Sequence, residues 1–140
     1  MTTFLVEHRR ITVSEYQNLR RTTSWPSLND SSVSIGLSND LFSVVVISQE
    51  KTIGIGRVIG DGAIYFYIQD VIVHPEYQKM KVGDLLMKHI EEFIRKKAPS
   101  HAFVGLMAAQ GVKDFYTRFN YLERSKEAPG MYKLIKNNIK

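Results

Sequence analysis

The segment from Ile68 to Arg95 constrains the fold more than any other part of the chain. A β-branched run, Ile68-Gln-Asp-Val-Ile-Val73, passes through a short polar loop, His74-Pro-Glu-Tyr-Gln-Lys-Met-Lys-Val-Gly83. It enters a helical stripe of Leu85, Leu86, Met87, Ile90, Phe93 and Ile94 without a break. Pro99 ends that helix, and a further apolar run, Phe103 to Met107, reads as a strand. Strand, helix and strand in this order predict a crossover that lays the two strands side by side in one sheet. The same arrangement aims the first-turn amides of the helix, and the positive end of its dipole, at one point in space. Phosphates bind well at such points. Gln78, Lys79 and Lys81 add donors and charge there.

The remaining elements fit around this unit. Phe4 to Val6 reads as a short first strand, and Thr12-Val-Ser-Glu15 is a capping box that opens a helix through Tyr16, Leu19 and Arg20. Trp25-Pro26 breaks it. Ser27 to Asn39, rich in Ser, Asn and Asp, reads as a loop or a short helix that faces the substrate. Leu41 to Ile47 and Thr52 to Ile59 form a hairpin about the polar turn Ser48 to Lys51, and Ala63 to Val73 continues it as a meander. A second helix is expected from about Val112 to Phe119, and two strands around Ala128-Pro-Gly130 in the tail. The fold class is therefore mixed α/β (α+β): a mostly antiparallel sheet of six to seven strands, about four helices, and a splay between two central parallel strands.

Composition narrows the chemistry. With 140 residues the chain is read as a single domain spanning 1–140. Cysteine is absent, which excludes thiolate catalysis and disulfides and fits a cytoplasmic protein. No apolar run is long enough to span a membrane, and Met1 to Arg10 lacks the apolar core of a signal peptide. The net charge of +5 suits a small polyanionic ligand as well as it suits nucleic acid. No basic stretch is interleaved with aromatics, so nucleic acid is not expected as a partner. None of the four histidines has metal-ligand spacing with a carboxylate, so no metal is expected.

The loop Val73-His-Pro-Glu-Tyr-Gln-Lys-Met-Lys-Val-Gly83 closely resembles the central signature of the GNAT superfamily of acetyl-CoA-dependent N-acyltransferases. That signature is a strand ending in Val-x-Pro, an aromatic, then Gln or Arg followed by x-x-Gly-x-Gly or Ala. Asp114-Phe-Tyr-Thr-Arg-Phe-Asn-Tyr121 is similar to the family's second segment, Phe-Tyr-x-x-x-Gly-Phe. The chain departs from the pattern at Lys81, where the family has the first glycine, and at Asn120, where it often has another. Asparagine tolerates left-handed backbone, so the second departure is mild. Lysine at 81 either keeps a normal helical conformation and adds charge, or obstructs the site.

The resemblance implies acetyl-CoA as co-substrate, a primary amine as acceptor, and direct transfer in a ternary complex. It implies that Val71, Ile72 and Val73 offer backbone groups to the pantetheine arm. It implies that the amides of Gln78, Lys79, Met80, Lys81, Val82, Gly83 and Asp84 hold the pyrophosphate. Tyr116 matches the family tyrosine near the thioester sulfur, where a phenol can protonate the departing thiolate. Asp70 is the candidate base. It lies among Ile68, Val71 and Ile72, and burial there would make it a competent proton acceptor. By the period-two rule Gln69, Val71 and Val73 share one face of the strand, and Asp70 and Ile72 the other. Trp25, Tyr67 and Met107 are candidates for the acceptor pocket, with a lean toward small apolar or aromatic amines. A homodimer through a free sheet edge is a further expectation. The alternative reading is a non-catalytic CoA-binding or regulatory module of the same fold.

Overall fold

The computed structural model describes residues 3–136. In chain order the elements are β1 (Leu5–His8), α1 (Val13–Arg20), α2 (Asp30–Leu37), β2 (Phe42–Ser48), β3 (Lys51–Gly60), β4 (Tyr65–Val73), α3 (Val82–Lys97), β5 (Phe103–Leu106) and α4 (Lys113–Thr117). The chain divides into two compact units, the first running through Met107 and the second from Ala108 onward.

In the first unit the five strands form one sheet in the order β1-β2-β3-β4-β5. The neighbouring pairs through β4 are antiparallel, and β5 is parallel to β4. The β4–α3–β5 crossover thus forms as its apolar pattern requires. Two expectations fail. The sheet has five strands rather than six to seven, because the tail after Tyr121 forms no strand among the described residues. Its apolar side chains Leu122, Met131, Tyr132, Leu134 and Ile135 stay exposed, so no buried face holds the tail as a strand. The parallel pair also sits at the edge of the sheet rather than at its centre, since β5 is the last strand.

Helices cover both faces. On one side α1 and α2 bury Ile11, Tyr16, Leu19, Val33 and Leu37 against Val45, Ile55 and Ile72. The capping box of α1 is complete: Glu15 N–H donates to Thr12 Oγ1, and Thr12 N–H donates to Glu15. The stretch read as a loop or a short helix contains α2, capped by Asn29, whose side chain accepts from Ser32 N–H at 2.8 Å. On the other side α3 buries Val82, Leu86, Met87 and Ile90. Two glycines of β3 let it approach. A Cβ on Gly54 would stand 2.9 Å from Val82 Cγ1, and one on Gly56 would stand 2.8 Å from Ile90 Cδ1. Larger residues there would push α3 off the sheet.

Candidate active site

β4 positions most of the expected residues, and it is not a regular strand. Gln69 pairs with Arg57 and Ile72 with Ile55, so Asp70 and Val71 together oppose the single residue Gly56. This is a β-bulge, and Asp70 takes the left-handed conformation, with φ of 54°. The bulge overrides strict alternation. Gln69 lies across from Arg57, and its side chain donates to Asp70 Oδ1 at 3.2 Å, so both face α1 and α2. Ile72 joins them in the core on that side, while Val71 packs near Gly56 on the α3 side. The period-two assignment therefore fails at Gln69, by one inserted residue.

The bulge lies where β4 leaves its neighbour. Pairing with β5 runs from Tyr65–Phe103 to Ile68–Leu106 and then stops, while β4 continues through Val73. The sheet gives Gln69–Val73 no partner on that side among the described residues. Strand edge of this kind can pair with an extended ligand. At the end where the sequence predicts a splay, β4 runs on past its pairing with β5.

Beyond Val73 the chain makes a single 3-10 turn, Pro75–Tyr77. His74 caps it, its Nδ1 accepting from Glu76 N–H at 3.2 Å. Gln78 is partly committed within the loop: its amide donates to Pro75 O at 3.4 Å, and its Nε2 donates to Val73 O at 3.2 Å. Lys79 and Lys81 then both adopt left-handed backbone, with φ of 67° and 64°. Lysine at 81 therefore does not keep a helical conformation; it takes the backbone geometry that glycine would supply more cheaply. No side chain caps α3 at this residue. The amides of Val82 and Gly83 have no acceptor within the helix. Left-handed residues next to a helix N-terminus form a concave run of N–H groups suited to an anion. Lys79, Met80 and Lys81 are exposed around it, whereas Val82 is buried under the turn.

Asp70 is almost wholly buried, at 4 % exposure, but its surroundings are basic and not apolar as the sequence suggested. Tyr16 Oη donates to its Oδ2 at 2.7 Å, and Arg57 Nη1 donates to the same oxygen at 2.8 Å. Arg20 Nη1 lies 3.8 Å from Oδ1 and donates to Tyr16 Oη at 3.1 Å. Arg57 turns the rest of its fork on Asp40, with Nη2 donating to Oδ1 at 2.8 Å and Nε to Oδ2 at 3.1 Å. Burial opposes the charge on Arg57, but hydrogen bonds and attraction to Asp40 and Asp70 outweigh it and raise its pKa. The Tyr16 phenol is pushed up to about 12, first by burial and then by the Asp70 charge. Tyr67, half-buried on β4, is raised for the same two reasons.

Sequence reading missed Tyr16, Arg20, Asp40 and Arg57. A signal was there: Arg57 and Asp70 are opposite charges, each inside a β-branched run, and a charge in such a run needs a partner. His8 and His89, far apart in sequence, also meet, Nε2 to Nδ1 at 2.8 Å. No group of three or more His, Asp or Glu among the described residues could hold a metal ion.

The acceptor candidates scatter. Trp25 is half-buried against the α1–α2 core, with the Arg20 guanidinium 5.5 Å from its ring. Met107 is exposed just beyond β5. A cleft of about 570 Å³ in the first unit is lined by Glu15, Asn18, Leu19, Glu50, Lys51, Thr52 and His74, none of them an expected contact.

In the second unit α4 carries Tyr116 and spans Lys113–Thr117, shorter than the helix expected over 112–119. Phe115 meets Tyr116 edge to face, with ring centroids 5.0 Å apart, and burial pushes the Tyr116 phenol up. Asn120 is left-handed, with φ of 71°, as the substitution for glycine allows.

Residues 39–123 match the family model described as an acetyltransferase (GNAT) domain. The chain belongs to the GNAT acetyltransferase family. An "Uncharacterized N-acetyltransferase ycf52" of Pyropia yezoensis is 23 % identical over 133 residues, covering 92 % of this chain and 75 % of that protein. The crystal structure of a "Probable Acetyltransferase" of unknown function from methicillin-resistant Staphylococcus aureus superposes with a TM-score of 0.89. It is 30 % identical and covers 95 % of this chain and all of its own. An aminoglycoside N-acetyltransferase solved in complex with CoA shares the fold, with a TM-score of 0.70 at 11 % identity, over 99 % of this chain and 97 % of its own.

Proposed function

We propose that this GNAT chain is an N-acetyltransferase that moves an acetyl group from acetyl-CoA to a small primary amine, by direct transfer within a ternary complex. One observation carries the reading: β4 outruns β5 and leads, through two left-handed lysines, into the uncapped N-terminus of α3. A single segment thereby offers strand edge for an extended amide-bearing arm and an anion cradle for the pyrophosphate at its end.

In this reading Val71, Ile72 and Val73 line the arm, and the amides from Lys79 to Asp84 hold the phosphates. Gln78 contributes less, because its amide and side chain are engaged in the loop. The neutral amine attacks the thioester carbonyl, the C–N bond forms and the C–S bond breaks. A proton on the departing sulfur completes the balance, and Tyr116, which matches the family tyrosine, is its proposed donor. The proton lost by the amine is assigned, through a water, to Asp70 Oδ1, which accepts one hydrogen bond, from Gln69, where Oδ2 accepts two, from Tyr16 and Arg57. Trp25, Tyr67 and Met107 remain the proposed acceptor contacts. The reaction needs no metal or nucleic acid and is assigned to the cytoplasm, with a homodimer as the proposed assembly.

An amine panel with acetyl-CoA and thiol detection tests the reading. Turnover with at least one amine, and a Tyr116→Phe variant slowed by about 10²-fold or more, is the expected outcome. Acetyl-CoA binding without CoA release across the panel would establish the non-catalytic alternative instead.

A further inference from the structure

We propose that Arg57 is a positioning residue: its ion pair with Asp70 holds the β4 bulge in the shape that receives acetyl-CoA. The proposal rests on the acetyl-transfer reading and names the side chain that maintains the backbone which that reading uses.

A left-handed, non-glycine residue in a strand is a strained one, and it persists only where its surroundings over-determine it. Asp70 meets this description, with φ of 54° in the middle of β4. Its carboxylate is gripped from β3 by Arg57 and from α1 by Tyr16. The other half of the Arg57 fork is anchored in turn by Asp40 and, through Nη2 at 3.3 Å, by the carbonyl of Gly36 in α2. One planar guanidinium thus ties together β3, the bulge and the far end of α2. Its geometry suits this, because a rigid fork can face two carboxylates at once while an ammonium is a single point.

The bulge sets what lies beyond it. It shifts the register of Ile72 and Val73 against Ile55 and Gly54 by one residue relative to Gln69 and Arg57. Relaxing Asp70 to an ordinary extended φ would remove the inserted residue from its niche and turn the following amides and carbonyls. Those are the groups on the strand edge that the pantetheine arm requires. Arg57 itself lies on the α1–α2 face, on the neighbouring strand, so its influence on the donor passes through Asp70.

The test compares the full-length wild type with Arg57→Lys and Arg57→Gln, each confirmed as folded by circular dichroism. Three quantities are read: acetyl-CoA affinity by calorimetry, kcat and KM on an amine from the panel, and the Asp70 φ in a crystal structure. In Arg57→Gln acetyl-CoA affinity should fall about tenfold, the scale of one strained residue relaxing. Asp70 should return to negative φ, and kcat should fall with the affinity. Arg57→Lys should recover part of the loss, because it can pair with Asp70 but not also with Asp40. Acetyl-CoA affinity within about twofold of wild type in folded Arg57→Gln, or a bulge that persists there, would overturn the proposal. If the wild type releases no CoA with any amine, the acetyl-transfer reading fails while affinity and backbone conformation still judge the clamp. A variant that does not fold is replaced by Asp40→Asn, which frees half of the fork and should weaken acetyl-CoA binding in the same direction. Unchanged binding in that variant counts against the clamp.

Discussion

The loop after β4 and the buried face before it handle charge by different means. From Lys79 to Gly83 the chain offers an anion main-chain amides, arranged by left-handed residues and a helix end, with exposed lysines around them. Around Asp70 the charges are met mainly by other side chains: two arginines, two carboxylates and a phenol, nearly all withdrawn from water. A backbone site tolerates changes of side chain so long as the dihedral angles survive, which is how Lys81 can stand in a glycine's place. A side-chain network has no such latitude, because each member is a partner that another member requires. Asp70 lies on β4 and the loop follows that strand, so substitutions in each region can be compared directly.

The largest effect is expected from Arg57→Ala. It removes the nearest cation from Asp40 and Asp70, whose side chains are 4 % and 2 % exposed, and leaves Asp70 with Arg20 at 3.8 Å. Breaking such a pair costs about 3–5 kcal/mol, to be measured as a loss of unfolding free energy in urea. A loss below about 1 kcal/mol, the scale of a surface pair, would erase the contrast between the two regions.

Gly54→Ala probes the backbone region without altering any of its charges. The new methyl meets Val82 Cγ1 at 2.9 Å and Leu86 Cδ1 at 3.4 Å, at the first turns of α3. Overpacking of this kind costs about 1–3 kcal/mol, and it displaces the helix end that carries the anion-facing amides. Stability and acetyl-CoA affinity should therefore fall together. A stable variant with weakened binding would sharpen the comparison further, by showing that the dihedral arrangement alone is at stake.

This division also explains what could be read from sequence. The β4–α3–β5 crossover, the capping box of α1 and the stripe of α3 were legible, because each is set by local periodicity or capping chemistry. The left-handed turn at Lys81 was not, since a lysine does not announce positive φ. The bulge at Asp70 was hidden for a related reason: a one-residue insertion in pairing depends on the partner strand, here on Gly56 and Arg57. Asp70 was singled out correctly as an unusual buried carboxylate. Its neighbours were misjudged, because Tyr16, Arg20 and Arg57 come from α1 and β3 and only the fold brings them near. The tail reads as two strands because a turn signal, Ala128-Pro-Gly130, stands between apolar residues, yet Leu122, Met131, Tyr132, Leu134 and Ile135 stay exposed and form no strand.

Glu15 offers a milder version of the side-chain arrangement. Its carboxylate accepts two hydrogen bonds from Arg9 at 2.8 Å and others from Thr52 and the Thr12 amide. The Arg9 hydrogen bond, opposed by burial and aided by Thr52, lowers its pKa from 4.5 to about 2. The folded chain therefore holds this proton more weakly than the unfolded chain. The resulting stabilisation is complete above about pH 4.5 and is lost as the pH falls toward 2. Arg9 is 36 % exposed, so solvent screens the pair and about 1 kcal/mol is expected. Glu15→Gln should flatten the acid limb of the stability profile by that amount. An unchanged limb would show that the network's strength is confined to the fully buried cluster.

The smallest effect, and the most direct test of the backbone reading, is Lys81→Gly. Lysine at a φ of 64° pays about 1–2 kcal/mol for left-handed backbone that glycine adopts freely. Glycine also loses about 0.5–1 kcal/mol more chain entropy on folding. The difference leaves a net gain of roughly 0–1.5 kcal/mol, measurable as a rise in Tm. If the amides, and not the ammonium, hold the anion, acetyl-CoA affinity should change by less than about threefold, the scale of one exposed charge contact. A loss of tenfold or more with stability intact would mean that the Lys81 side chain grips the phosphates. The loop would then belong with the side-chain cluster around Asp70, and the contrast between the two regions would disappear.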